Sequence, residues 1–493
     1  MNKFILGSVL LFFINVTICS QTLVTNGWET ISRTDLLSTV EFLTSGIADG
    51  RLPGSKGYDA AAVYMADKFS NLGLLPFGEE GYFQYFSIEY NRIDTPAVFN
   101  LHYNKNITKY RHGEDFVYRG FTGSGCLLMP LTFCGYGISD TSSGYDDYAN
   151  IDVKDKIVMV FKQNPGWQKD GKSINGLLPR EKSLIAKKHG AKGILFVSLP
   201  NDENPQPLIG SVMHGSGEQP EDFPQLHISI KAADDLLANT GFNISDLQTR
   251  IDETQRPFSF NLFTKAEIVA NAVYDKNATT MNVIGLLEGT DPELKNEFLI
   301  IGAHLDHVGR QAGLLFPGAN DNASGSAAVL EVAEAFVRSG ISPKRSVLFV
   351  LFAGEEQGLY GSTYFADNMK LNNDNVIAML NIDCIGYGDS IKAGNGKSAP
   401  KLWNIVRETD SRFIGMMVEQ TWAGGGADAT PFHNKGIPSL YFVTTNSYDH
   451  LHLPSDKPET LNPELFERTV KLIYLTARSI ADGNYPGEKI FSD

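Results

Sequence analysis

Four short stretches in the second half of the chain bring together side chains that could grip a cation or move a proton. They are His304-Leu305-Asp306, the segment Gly318 to Gly325 with Asp321 inside it, Glu355-Glu356, and Asp383. Each alone has an ordinary reading: a surface histidine, a solvated acidic pair, an aspartate capping a helix. Together they follow apolar runs, one after another, and a metal site is the economical explanation. Zinc takes imidazole and carboxylate ligands, and a catalytic site keeps one position open for water. Two such ions about 3.5–4 Å apart need a carboxylate shared between them. Asp306, two residues after His304, is placed to accept the imidazole's other N–H and so fix its orientation.

The elements that must position these groups are legible around them. Asn282 to Leu287, Phe298 to Ala303, Val347 to Phe352, Ile377 to Ile382 and Pro438 to Val443 are short, nearly continuous apolar runs, the kind found in strands covered on both faces. Helical patterns intervene at Ser324 to Ser339 and Leu461 to Asp482. The rhythm predicts an α/β/α sandwich with a mixed, largely parallel central sheet. In such sheets the ligand crevice lies at the carboxyl ends of the strands, where all four stretches fall.

Earlier in the chain, two amphipathic helices are expected between Ser32 and Leu75, joined by the turn Gly50-Arg51-Leu52-Pro53-Gly54 and closed at Gly73. Phe83 to Ile138 alternates and is aromatic, which suits strands. Lys156 to Phe161 and Gly193 to Ser198 read as strands around a helix at Lys182 to His189, and Pro200 to Pro224 reads as surface loop. The expected division is a leader at 1–20, an N-terminal part of the catalytic domain with connecting strands at 21–130, an inserted β-rich α/β unit at 131–256, and the main catalytic part at 257–493.

Length and composition narrow the function. A chain of 493 residues has room for two or three domains, and 42% hydrophobic with 20% charged residues describes a globular protein. A formal charge of −15 leaves no basic patch for nucleic acid. Lys3 followed by apolar residues from Phe4 to Ile18 fits a signal peptide cut near Ser20, too short to cross a bilayer, and no later run is a membrane span. Export to a periplasm or the medium follows, with lipid anchoring through Cys19 the less favoured alternative. Cys126 and Cys134 could bridge in an oxidising compartment or stand as two buried thiols. The sequon Asn106-Ile107-Thr108 is uninformative without knowing the host.

Five ordered motifs give a resemblance. They are His304-Leu305-Asp306, Pro317 through Gly325, Glu355 through Ser362, Asn381-Ile382-Asp383, and His452-Leu453-Pro454-Ser455-Asp456. With them the chain resembles the co-catalytic di-zinc exopeptidases, the bacterial leucyl-type aminopeptidases and their relatives the glutamate carboxypeptidases, transferrin receptor and glutaminyl cyclases. The segment from Phe133-Cys134-Gly135-Tyr136-Gly137-Ile138 to Gly190-Ala191-Lys192-Gly193-Ile194 resembles a protease-associated (PA) domain, which implies a gating role or a passive insertion.

The resemblance implies two zinc ions per chain: His304 and Asp383 on one, Glu356 and His452 on the other, Asp321 bridging, and Glu355 as general base. His307 and His450 are then neighbours rather than ligands, and Asp428 either supports the ligands or faces the substrate. Relatives often carry Tyr directly before the last His, and Leu451 stands there, so the oxyanion donor is left to Tyr448 or to zinc alone. The implied activity is hydrolysis of the N-terminal peptide bond of peptides or proteins. Glutaminyl cyclase and carboxypeptidase are alternatives on the same fold, and a receptor-like binder without catalysis would lack ligands that are present here. No Gly-x-Ser-x-Gly elbow supports a serine hydrolase.

Overall fold

The computed structural model describes residues 26–490 except 141, 170–171, 174–176 and 216. The expected leader and Cys19 lie outside the described residues. At the centre is a mixed sheet in which Phe298–His304 pairs in parallel with Ser346–Phe352 and Val376–Ile382, and the latter with Ser439–Thr444. Antiparallel strands close its two sides: Ile391–Gly394 against Ser439–Thr444, and the end of Ser259–Leu287 against Ser346–Phe352.

Alternation along these strands serves two cores. Leu299 and Ile301 point with Val347, Phe349 and Leu351 toward Leu36, Val40, Met65, Val329 and Tyr474, from the helices Arg33–Leu43, Lys56–Asn71, Gly325–Arg338 and Pro463–Ala481. Ile300, Leu348, Val350 and Phe352 point the other way, onto Phe365 and Phe432 of the helices Tyr360–Asp367 and Ala429–Asn434. Each such side chain contributes about 1.5–3 kcal/mol on burial, so strand order and register are over-determined where the site hangs. Side-chain caps fix the helix starts: Ser32 accepts from Asp35 N, Ser55 from Tyr58 N and Asn462 from Leu465 N.

The 29-residue strand Ser259–Leu287 runs out of this sheet and pairs with Phe83–Tyr103 and Gly125–Cys134. From Gly125–Cys134 a second, smaller sheet continues through Ile157–Phe161, Gly193–Val197 and Gln225–Ile228, all parallel, to an antiparallel Phe116–Tyr118. That last strand lies ahead of residue 131, where the sequence reading opens the insert. Cys126 and Cys134 are both unbonded, Cys126 exposed and Cys134 buried. They occupy one extended strand, where eight residues at roughly 3.3 Å each separate them far beyond disulfide reach. Among the described residues no helix is long and apolar enough to cross a membrane.

Among its described residues the expected surface loop Pro200 to Pro224 has neither helix nor strand, but its middle is not on the surface. Val212 packs with Val117, Val308 and Phe316, and Gln311 Nε2 donates to Ser211 O. Apolar residues inside a Gly/Pro-rich segment therefore seat the insert on the catalytic unit.

Candidate metal centre

His304 is the last residue of its strand, and Asp383 follows the end of the next one. Their side chains meet at Asp321, which sits before the helix Gly325–Arg338. His304 Nε2 lies 3.3 Å from Asp321 Oδ1 and 3.4 Å from Asp383 Oδ1. On the other side of Asp321, His452 Nε2 lies 3.1 Å from its Oδ2 and 2.8 Å from Glu356 Oε2. Two clusters of donor atoms, each gathered within 4.8 Å, thus share one aspartate: His304, Asp321 and Asp383, and His307, Asp321, Glu356 and His452.

Local structure explains how Asp321 reaches this position. Asp456, at the end of the His452 motif, accepts the backbone N–H groups of Asn320 at 2.8 Å and Asp321 at 3.0 Å. Asn322 donates to Ile382 O at the end of the neighbouring strand and accepts from Gly325 N. A Cβ on Gly325 would lie 2.4 Å from both Ile382 O and Asn322 Oδ1, so the helix must start on glycine to come this close to the strand.

Electrostatics follow from burying so many acids beside imidazoles. Burial pushes His304 and His452 down, but the carboxylates facing them outweigh it and hold both well above the usual histidine range. Burial raises Asp321 and Glu356 in turn. The histidines prevail, holding Asp321 well below its ordinary value and Glu356 at about 2. The pocket is built for positive charge. Its donors are imidazole nitrogens and carboxylate oxygens, and Asp383 Oδ1 and His307 Nε2 are buried without a hydrogen-bond partner. This set fits zinc. Glu355 differs from its neighbour: burial, with Asp428 and Glu356 adding, raises it well above the usual carboxylate range against the pull of His304.

All six sequence-predicted groups, Glu355 and the five expected ligands, are gathered here. One supporting contact differs from expectation. His304 Nδ1 lies 3.1 Å from the backbone oxygen of Asp306, whose carboxylate is 3.8 Å away. That carboxylate instead accepts the backbone N–H groups of Glu355 at 3.2 Å and Glu356 at 3.4 Å. Asp428 is fully buried, beside His304, Asp306 and Asp383, which fits the expected alternative in which it supports the ligands rather than the one in which it faces substrate. His450 bonds Ser455 Oγ at 2.9 Å and belongs to neither cluster, whereas His307 Nδ1 approaches Glu356 Oε1 to 2.8 Å. Tyr441, which donates to Asp383 Oδ2 at 3.2 Å, and the insert's Gly210, whose N–H bonds His452 O at 2.8 Å, were not legible in the sequence.

A mixed, largely parallel sheet with paired His/carboxylate clusters at its carboxyl edge defines the class, an α/β scaffold with a candidate metal centre and an inserted α/β unit. Residues 282–477 match peptidase family M28 and residues 116–236 match the PA domain. Leupeptin-inactivating enzyme 1 of Streptomyces exfoliatus is 36% identical over 166 residues, 33% of this chain and 35% of that protein. A probable leucine aminopeptidase of Trichophyton verrucosum is 29% identical over 199 residues, 38% of this chain and 56% of that protein. The chain therefore spans between a third and somewhat over half the length of these curated relatives. The solved structure of an aminopeptidase from Aneurinibacillus sp. strain AM-1 superposes over 96% of this chain and 97% of its own, with TM-score 0.64 and 20% identity. That likeness establishes the fold.

Proposed function

We propose that the protein is an exported aminopeptidase that holds two zinc ions and hydrolyses the N-terminal peptide bond of peptides. The observation that carries this reading is the sharing of Asp321 between two donor clusters with Glu355 beside them. His304 and Asp383 would hold one ion and Glu356 and His452 the other, with Asp321 between. Bound zinc would supply Lewis-acid polarisation of a carbonyl and acidification of water.

The chain's own residues do the rest. Asp306 accepts the backbone N–H of Glu355 and so holds that residue beside the clusters. Glu355 takes a proton from the attacking water and returns it to the departing amine nitrogen, serving both halves of the reaction. Its raised affinity for a proton, caused by burial, suits that shuttle.

An amino terminus is favoured over a carboxyl terminus by charge. A carboxypeptidase needs a free cation for the substrate carboxylate. Arg51, which senses the charges of Asp321, Asp456 and Asp306, is fully buried and occupied by four carbonyl oxygens. The name of the probable leucine aminopeptidase of Trichophyton verrucosum points the same way.

The test is a panel of aminoacyl chromogenic substrates, N-blocked peptides and N-terminal glutaminyl peptides, with chelator and with zinc restored. Release of free N-terminal residues, lost on chelation and regained with zinc, is expected. Ring closure of glutaminyl peptides, release from the carboxyl end, or zinc-loaded protein with no activity would each overturn the assignment.

A further inference from the structure

Arg51 lies in the Gly/Pro turn between the first two helices, far in sequence from every metal-binding candidate, yet its side chain is wholly buried beneath them. Nε donates to Leu305 O at 2.7 Å, Nη1 to Pro317 O at 2.8 Å and to Leu43 O, and Nη2 to Gly318 O at 2.8 Å. Leu305 separates His304 from Asp306, and Pro317 and Gly318 begin the loop that ends in Asp321. One guanidinium therefore joins the loop of His304, the loop of the bridging aspartate and the end of the helix Arg33–Leu43.

Backbone contacts complete the clasp. His307 N donates to Arg51 O at 3.1 Å and Gly309 N to Gly50 O at 2.9 Å. Asp49, Gly50 and Arg51 all adopt left-handed backbone angles, with φ of 46°, 73° and 56°. Two of the three are not glycine, a conformation maintained only where surrounding contacts enforce it. At Gly50 a Cβ would lie 2.7 Å from the backbone of Gly309, so the turn is pressed directly on the metal loop.

Resting on the zinc reading above, we propose that Arg51 is a positioning residue that assembles the metal site before metal arrives, by tying the two ligand-bearing loops to each other. Arginine suits this because its planar fork reaches several acceptors at fixed angles, which a lysine cannot do. The sign of one measurement separates this role from a merely electrostatic one. Removing a positive charge near a cation site tightens cation binding by relieving repulsion, whereas loosening the loops weakens it.

The experiment measures zinc affinity by chelator competition in wild type, Arg51→Lys and Arg51→Met, beside Arg345→Met as control. Arg345 is also buried but donates to Ile480 O and Glu297, away from the site. We expect zinc affinity to fall at least tenfold in both Arg51 variants, although one keeps the charge, and the control to lose thermal stability with zinc affinity unchanged. Affinity within threefold of wild type in Arg51→Lys, or tighter binding in Arg51→Met, overturns the proposal. Wild type that binds no zinc overturns the functional reading instead. Should neither Arg51 variant fold, hydrogen exchange of zinc-free wild type decides: protected amides over 303–309 and 317–322 support a preformed site, and unprotected ones refute it.

Discussion

The carboxylate of Asp306 is bonded to the backbone of Glu355, 49 residues away, at 3.2 Å, and to that of Glu356 at 3.4 Å. One buried acid thereby sets the placement of both the proposed base and a proposed ligand, from the loop that also bears His304. Asp306→Asn offers a single acceptor oxygen in place of two and turns an N–H group toward one of the donors. Such supporting bonds are commonly worth 10- to 100-fold in affinity or activity. We expect kcat to fall by about that factor with zinc content near wild type; an unchanged kcat would show that the Glu355 backbone holds its place unaided.

Glu355→Gln keeps the size of the side chain and removes its capacity to take a proton. Glu355 stands outside both donor clusters, so metal content should persist while hydrolysis falls by roughly a thousandfold, the scale of general acid–base catalysis. The measurement is kcat against zinc per chain on the same sample. Substantial turnover by the zinc-replete variant would remove Glu355 from the reaction.

Much of this was legible in the sequence because the strands are uninterrupted apolar runs ending in polar groups. The run read at Phe298 to Ala303 is the strand Phe298–His304, and that at Val347 to Phe352 is Ser346–Phe352. What escaped depends on contacts without a local signature. Arg51 reaches oxygens 254 and 267 residues away, and the turn containing it looks like any Gly/Pro turn. For Asp306 the spacing to His304 suggested an imidazole partner, but the imidazole turned to the backbone oxygen and left the carboxylate for the Glu355 loop. Loop composition hid the docking of Val212, since a few apolar residues broken up by Gly, Ser and Pro carry no periodicity.

Tyr448 is the exposed end of a hydroxyl pair: its Oη lies 3.3 Å from that of Tyr441, which donates to Asp383 Oδ2. Tyr441 is buried, whereas Tyr448 is 52% exposed and open to a substrate. With Leu451 directly before His452, Tyr448 is the side chain we assign to the developing oxyanion. Loss of one such donor costs about 10²–10³ in rate. Tyr448→Phe should lower kcat on that scale with KM little changed; a pure KM effect would make Tyr448 a binding residue only.

His307 Nδ1 approaches Glu356 Oε1 to 2.8 Å and Asp321 Oδ2 only to 3.8 Å. Although His307 belongs to the second donor cluster, we propose on its greater distance from the shared Asp321 that it orients Glu356 rather than donating to metal. His307→Ala should therefore still take up two zinc ions at saturating metal, with weaker affinity for one of them. A stoichiometry of one by metal analysis would make His307 a ligand in its own right.

Glu331, 2% exposed on the helix Gly325–Arg338, provides a stability switch remote from metal chemistry. Burial, reinforced by Glu334 and Asp35, raises it from 4.5 to about 8. The folded protein then holds this proton over a range where the unfolded chain has released it, so the contribution to stability falls as pH climbs from about 4.5 to about 8. The full swing is on the order of 5 kcal/mol at about 1.36 kcal/mol per pH unit. Glu331→Gln retains the shape and cannot ionise, so its melting temperature should match wild type near pH 4.5 and exceed it increasingly toward pH 8. Any effect of pH on the rest of the molecule cancels in that difference. A gap that stays constant across the range would mean that Glu331 is ionised in the folded protein at neutral pH, with a compensating partner for its charge.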